Sequence, residues 1–89
     1  MKRFVIVGLG NFGSACADAL HRAGHEVVVV DQNEDAVDRI APHVSRAAVG
    51  DGRSVDVLDR VGAKGADAGI VSTGDDIADL LLGTVFSLN

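Results

Sequence analysis

Three glycines and one carboxylate are the residues here whose types and spacing could do chemistry. Gly8-x-Gly10-x-x-Gly13 follows the apolar run Phe4-Val5-Ile6-Val7 and opens a stretch of helix formers. That spacing, in a strand–turn–helix context, matches the dinucleotide-binding fingerprint. Gly8 permits a tight turn, Gly10 lets backbone approach a pyrophosphate with no Cβ in the way, and Gly13 lets the new helix lie close on the strand. Free N–H groups at the helix start, together with the macrodipole, favour an anion there. Leu9, Asn11 and Phe12 lie between the glycines and would share in holding it. Glycine turns also occur with no ligand, so the spacing alone leaves a purely structural turn open.

Asp31 stands twenty-one residues after Gly10 and directly after Val27-Val28-Val29-Val30. Its carboxylate can accept hydrogen bonds from both hydroxyls of an adenosine ribose. The same charge repels a 2′-phosphate, and the neighbouring Gln32 and Asn33 supply no cation to hold one. NAD or NADH, or a simple adenine nucleotide, is therefore favoured over NADP. Taken alone, Asp31 could equally be a helix-capping carboxylate. Asp51, between Gly50 and Gly52, is placed to accept from an adenine amino group or to serve as a turn residue. Thr73 and Gly74 stand where a pyrophosphate or distal ribose would pass. Asp75, Asp76 and Asp79 form an acidic group around the last helix; helix N-terminal charge compensation accounts for the first two, and a metal is disfavoured.

These residues need elements to carry them, and the apolar pattern supplies strands and helices alternating about every twenty residues. A first helix is expected over residues 14–23, with Ala15, Ala19 and Leu20 on its packing side and Gly24 at its C-terminal stop. His21, Arg22 and His25 surround that end, where positive charge opposes the dipole. Cys16 reads as a small core filler. A second helix spans residues 34–40, with Ala36, Val37 and Ile40 inward and Pro42 as its stop. A weaker third strand covers residues 44–49. Val55, Leu58 and Val61 mark a third helix closed by Gly62, and residues 66–72 form a fourth strand. Asp75 or Asp76 then caps a last helix running through Ile77 toward Leu88. Connections this short require parallel strands with right-handed crossovers. The expected fold is α/β, a Rossmann-like parallel sheet of order 3-2-1-4 with helices on both faces. Gly8, Asp31, Asp51 and Thr73 then open on one sheet edge.

Composition narrows the field. Eighty-nine residues make one small domain, and 47% hydrophobic content is globular. Only Phe4, Phe12 and Phe86 are aromatic, so the core is aliphatic. A net charge of −5, with no basic cluster, is the wrong sign for a nucleic-acid surface. One cysteine excludes an internal disulfide and suits a reducing cytosol. No apolar run approaches a transmembrane span and no signal peptide precedes the first strand.

Phe4-Val-Ile-Val-Gly-Leu-Gly-Asn-Phe-Gly13, Gly24-His-Glu-Val-Val-Val-Val-Asp31, Gly50-Asp51 and Ser72-Thr-Gly-Asp-Asp76 together resemble the RCK (KTN, or Trk-type N-terminal) domain. Such domains regulate potassium channels and potassium uptake transporters by binding nucleotides on the cytosolic side of the membrane. The resemblance covers nearly the whole chain and implies NAD(H), or AMP, ADP or ATP, on Gly8 to Gly13, with Asp31 on the ribose and Asp51 near adenine. Many members carry Arg where Asn11 stands, and that Arg can neutralise phosphates; its replacement makes ATP less favoured here than NAD(H) or AMP. Asn often stands in the family where this chain has Asp79. The family fold usually continues with two more strands, so the chain is expected to be a truncated or minimal version. A start at Met1 directly before the first strand suits a separate regulatory subunit.

In the last helix, Ile77, Leu80, Leu81, Leu82, Val85, Phe86 and Leu88 are apolar around more than one face. That surplus predicts a homodimer or higher oligomer through this helix, or a face bared by truncation. The reading is a cytoplasmic, non-enzymatic regulatory module partnered with a potassium-transporting membrane protein. Its rivals are the cofactor-binding fragment of an NAD-dependent oxidoreductase, and a domain that binds nothing. Against the oxidoreductase, no His or Lys is placed with an acidic partner near the expected nicotinamide position.

Overall fold

The computed structural model describes residues 1–52, 54–62, 65–71 and 84–86. Strand β1 (Arg3–Val7) leads into helix α1 (Asn11–Arg22), then β2 (Glu26–Asp31) and α2 (Glu34–Ile40). A 3-10 turn (Ala41–His43) follows, then β3 (Arg46–Val49), α3 (Val55–Arg60), β4 (Ala68–Val71) and β5 (Thr84–Phe86). The sheet order is β3-β2-β1-β4-β5, with the first four strands parallel. Val5 pairs with Val28 and Gly69, and Ile6 with Val29 and Ile70, so β1 is central.

Strand alternation sorts the core onto two faces. Ile6, Val27, Val29 and Ile70 pack with Ala17 of α1 and Ile40 of α2. Val5, Val28 and Val30 pack on the other side with Val61 and Ala66, where Val57 and Leu58 of α3 lean on them. The chain thus winds outward from β1 to β3 with helices on one face. It then crosses back to β4 with α3 on the opposite face, and the crossing point lies at the carboxyl end of β1. Ligands of doubly wound sheets bind at such a point.

Each helix end has a local cause. Asn33 and Ser54 cap α2 and α3, their side-chain oxygens accepting from Ala36 N–H (3.2 Å) and Val57 N–H (3.4 Å). Gly24, at φ +93°, closes α1: its N–H donates to the His21 carbonyl, while His25 N–H reaches Leu20. That is the paired-bond arrangement of a Schellman stop. Arg3 fastens the opposite edge of the sheet. Its Nε meets Glu26 at 2.9 Å, its Nη1 donates to the Gly62 carbonyl at 3.3 Å, and its backbone N–H donates to Asp67 Oδ2 at 2.8 Å.

Two expectations need correction. Helix α1 starts at Asn11, not Ser14, because Gly10 is already its N-cap and accepts from Ser14 N–H at 2.9 Å. The phase then follows Gly13: Gly13 and Ala17 are buried, Cys16 and Leu20 pack beside them, and Ala15 and Ala19 face outward. A glycine that must lie close to the strand outranks alanines that can sit anywhere. Cys16 does pack on the core, and burial pushes its thiol above the usual range.

The last helix is the second correction. Residues 72–83, with Ser72, Thr73, Gly74, Asp75, Asp76, Ile77 and Asp79, lie outside the described residues. Where the backbone is described again it is extended: Thr84, Val85 and Phe86 pair antiparallel with Val71, Ile70 and Gly69. A helix therefore does not run on toward Leu88. β-Branched and aromatic residues favour strand, and the outer edge of β4 offers unpaired backbone groups that this pairing satisfies.

One close approach carries a prediction. A Cβ built on Gly52 would stand 2.2 Å from Val7 Cγ1, and Val7 closes β1 immediately before the glycine turn. Gly52→Ala is expected to destabilise the fold by about 1–3 kcal/mol through overpacking, read as a lower urea midpoint with unchanged slope.

Candidate functional site

The site begins where β1 stops. Gly8 has φ +94° and is buried, a conformation that turns the chain sharply out of the sheet and that a side chain would strain. Its N–H still donates to the Val30 carbonyl at 2.9 Å, extending the ladder by one bond beyond Val7. Gly10 then adopts extended dihedrals and serves as N-cap of α1 without a side chain to offer. The contrast with α2 and α3, both capped by a side-chain oxygen, is physical: the amide end of α1 is left for an acceptor from elsewhere.

Asp31 ends β2 beside this turn, and both of its carboxylate oxygens are engaged. Oδ2 accepts from Leu9 N–H at 2.6 Å and Oδ1 from Asn33 N–H at 2.7 Å. The second bond is an Asx turn that delivers the chain to the α2 cap. Each oxygen keeps a further lone pair, so the half-buried carboxylate can still accept from sugar hydroxyls. Gln32 follows it, exposed and uncharged.

Gly50 N–H donates to the Asp31 carbonyl at 3.0 Å, which carries the β2–β3 ladder to its end and sets Asp51 just beyond it. Asp51 and Gly52 are half-buried, and the Asp51 carbonyl accepts from Ser54 N–H at 2.9 Å. Gly50 itself is held small by Val57, whose Cγ1 would lie 3.0 Å from an added Cβ. Asn11 and Phe12 are exposed at the start of α1, Phe12 at 38%.

Gly8, Leu9, Gly10, Asn11, Phe12, Gly13, Asp31, Gln32, Asp51 and Gly52 thus come from the carboxyl ends of β1, β2 and β3, on one sheet edge. Thr73 and Gly74 lie outside the described residues. The histidines are elsewhere. His25 packs edge-on against Phe4 at 5.3 Å and accepts from Lys2 N–H at the opposite edge, His21 is in the last turn of α1, and His43 is in the 3-10 turn. Among the described residues no group of His, Cys, Asp and Glu could hold a metal ion, and no helix is long and apolar enough to cross a membrane.

Sequence reasoning missed Ser14. Its hydroxyl donates to the Leu9 carbonyl at 3.1 Å, so the middle residue of the glycine turn is held at its carbonyl as well as its amide. A serine inside the first turn, where a hydroxyl can bond backwards to the preceding loop, was the available signal.

The arrangement suits an adenosine phosphate. The amide end of α1 and a glycine backbone lie at the end of β1, Asp31 stands one strand over, and Asp51 stands beyond the next. Similar chains are known. Over 84 residues the chain is 37% identical to the Ktr system potassium uptake protein C of Bacillus subtilis (strain 168), covering 94% of this chain and 38% of that protein. Over 40 residues, 45% of this chain and 12% of the relative, it is 40% identical to a glycerol-3-phosphate dehydrogenase (NAD(P)+) of Staphylococcus aureus (strain JH9). Among solved structures, the AMP-bound Kef CTD of Shewanella denitrificans shares the fold, with a TM-score of 0.63 at 24% identity over 86% of this chain and 45% of that one. This chain therefore spans less than half the length of each of these proteins. Residues 4–88, nearly its full length, match the TrkA-N domain, and the chain belongs to that family.

Proposed function

We propose that residues 1–89 form one regulatory nucleotide-binding domain that takes NAD(H), or alternatively AMP, ADP or ATP, and passes its occupancy to a potassium-transporting membrane protein at the cytoplasmic face. The observation that carries the nucleotide reading is Asp31 bonded to Leu9 at 2.6 Å, which sets a sugar acceptor against an uncapped helix start. Gly8 to Gly13 would hold the phosphates, Asp31 and Gln32 the ribose, Asp51 and Gly52 the adenine, and Thr73 and Gly74 the distal part. Membership in the TrkA-N family, and the potassium uptake protein among its relatives, support the transport role. Binding must differ between two conformations of the domain for occupancy to be transmitted, since equal affinity shifts nothing. The apolar residues Ile77, Leu80, Leu81 and Leu82 support a homodimer or higher oligomer through this segment, which light scattering at micromolar concentration would reveal as twice the chain mass or more.

The dehydrogenase likeness favours a second reading, a cofactor-binding fragment of an oxidoreductase, but it covers only 45% of the chain. The described histidines lie at helix ends and at the far edge, away from the glycine turn. Calorimetry with NADH, NAD, AMP, ADP and ATP tests the proposal: saturable binding of NAD(H) or AMP, with ATP weaker, is expected. Heats no larger than dilution for the whole panel would refute it, and hydride transfer over a substrate panel would favour the oxidoreductase.

A further inference from the structure

Leu9, in the middle of the glycine turn, is gripped at both ends of its backbone by side chains. Asp31 Oδ2 takes its N–H at 2.6 Å from the neighbouring strand, and the Ser14 hydroxyl donates to its carbonyl at 3.1 Å from within α1. Asp31 is itself held, because Oδ1 accepts from Asn33 N–H at 2.7 Å. With Gly8 N–H on the Val30 carbonyl and Ser14 N–H on the Gly10 carbonyl, each residue of the turn is fixed before any ligand arrives. We infer that Asp31 is a positioning residue for the phosphate turn as well as a sugar acceptor, acting with Ser14 through the Leu9 peptide. Sugar recognition and phosphate recognition are then one coupled unit.

The inference rests on the nucleotide reading and makes a prediction of opposite sign to simple electrostatics. A carboxylate beside an anion site repels the anion, so removing it should tighten a ligand that has no sugar. If the carboxylate also orders the turn, removing it frees the Leu9 amide and disorders the donors that the anion needs. A bond to a charged acceptor is strong enough for the second effect to win. Asp31→Asn preserves shape but removes the charge, and one amide oxygen cannot serve both Leu9 and Asn33 from the positions the two carboxylate oxygens occupy.

The test uses the full chain and inorganic pyrophosphate, which has no ribose to contact, beside ADP. Amide exchange followed by NMR is expected to show Leu9 protected in the ligand-free wild type and exchanging about tenfold faster in Asp31→Ala. Pyrophosphate affinity should fall about tenfold in Asp31→Ala and less in Asp31→Asn. In Ser14→Ala, which alters neither charge nor sugar contact, it should fall about threefold. If Asp31→Ala does not fold, Asp31→Asn and Ser14→Ala decide the matter by the same readouts. Pyrophosphate bound equally or more tightly by these variants, or a Leu9 amide unprotected in the wild type, overturns the inference while leaving ADP binding by the wild type to support the functional reading. A wild type that binds neither pyrophosphate nor ADP overturns both.

Discussion

Asp31→Ala is expected to lower NADH affinity about a thousandfold and to remove the preference for NAD over NADP that the proposed site implies. In the proposed complex two ribose hydroxyls donating to one carboxylate form charge-assisted bonds, each contributing about 1.5 kcal/mol or more; two such losses amount to roughly two decades in Kd, and the loosened phosphate turn adds about one more. The preference has a different cause. A 2′-phosphate would sit against the same carboxylate, and the residues that follow, Gln32 and Asn33, carry no positive charge. Removing the acid thus weakens NADH through lost bonds and relieves NADP of repulsion. Titration calorimetry of both cofactors on both proteins reads the two effects separately. Unchanged NADH affinity in the variant would show that the sugar lies elsewhere.

The second large effect concerns stability. Ile6→Ala should cost about 3–4 kcal/mol, seen as a lowered urea midpoint at unchanged slope. Ile6 is fully buried in the central strand, paired between Val29 and Ile70, and its side chain packs with Ala17 of α1. A domain of 89 residues has roughly 4–13 kcal/mol to lose, so the variant should be partly unfolded near body temperature. Val49→Ala is the control. Val49 lies on the edge strand and is 53% exposed, so its truncation should shift stability by about 0.5 kcal/mol or less. A comparable loss at both positions would mean that β1 is not the middle of the core.

The fold was legible because its signals are local and redundant. Four consecutive β-branched valines favour a strand buried on both faces, and Gly24 and Gly62 close α1 and α3 with the positive φ expected of them. The residues of α2 were readable to the limits, since Asn33 caps it and Pro42 lies just past it. Reading failed where two local preferences competed. Ala15 and Ala19 are as helical and as small as Ala17, and only the approach of Gly13 to the sheet decides which row faces in. Thr84–Phe86 tells a similar story: its apolar residues fit a helix stripe, but the open edge of β4 recruits them as a strand.

By itself the sequence determined the alternation of strands and helices, their parallel order, and the residue types available at one edge of the sheet. Those follow from apolar period, turn chemistry and spacing, all of which act within a few residues along the chain. Only the tertiary structure decided that Asp31 reaches across to Leu9, that Ser14 holds the same residue at its carbonyl, and that a side chain at Gly52 would collide with Val7. Such contacts join residues up to 45 positions apart, and their distances depend on how strands register and how closely a loop is packed. No pattern in the chain encodes that, because it is a property of the packed core as a whole.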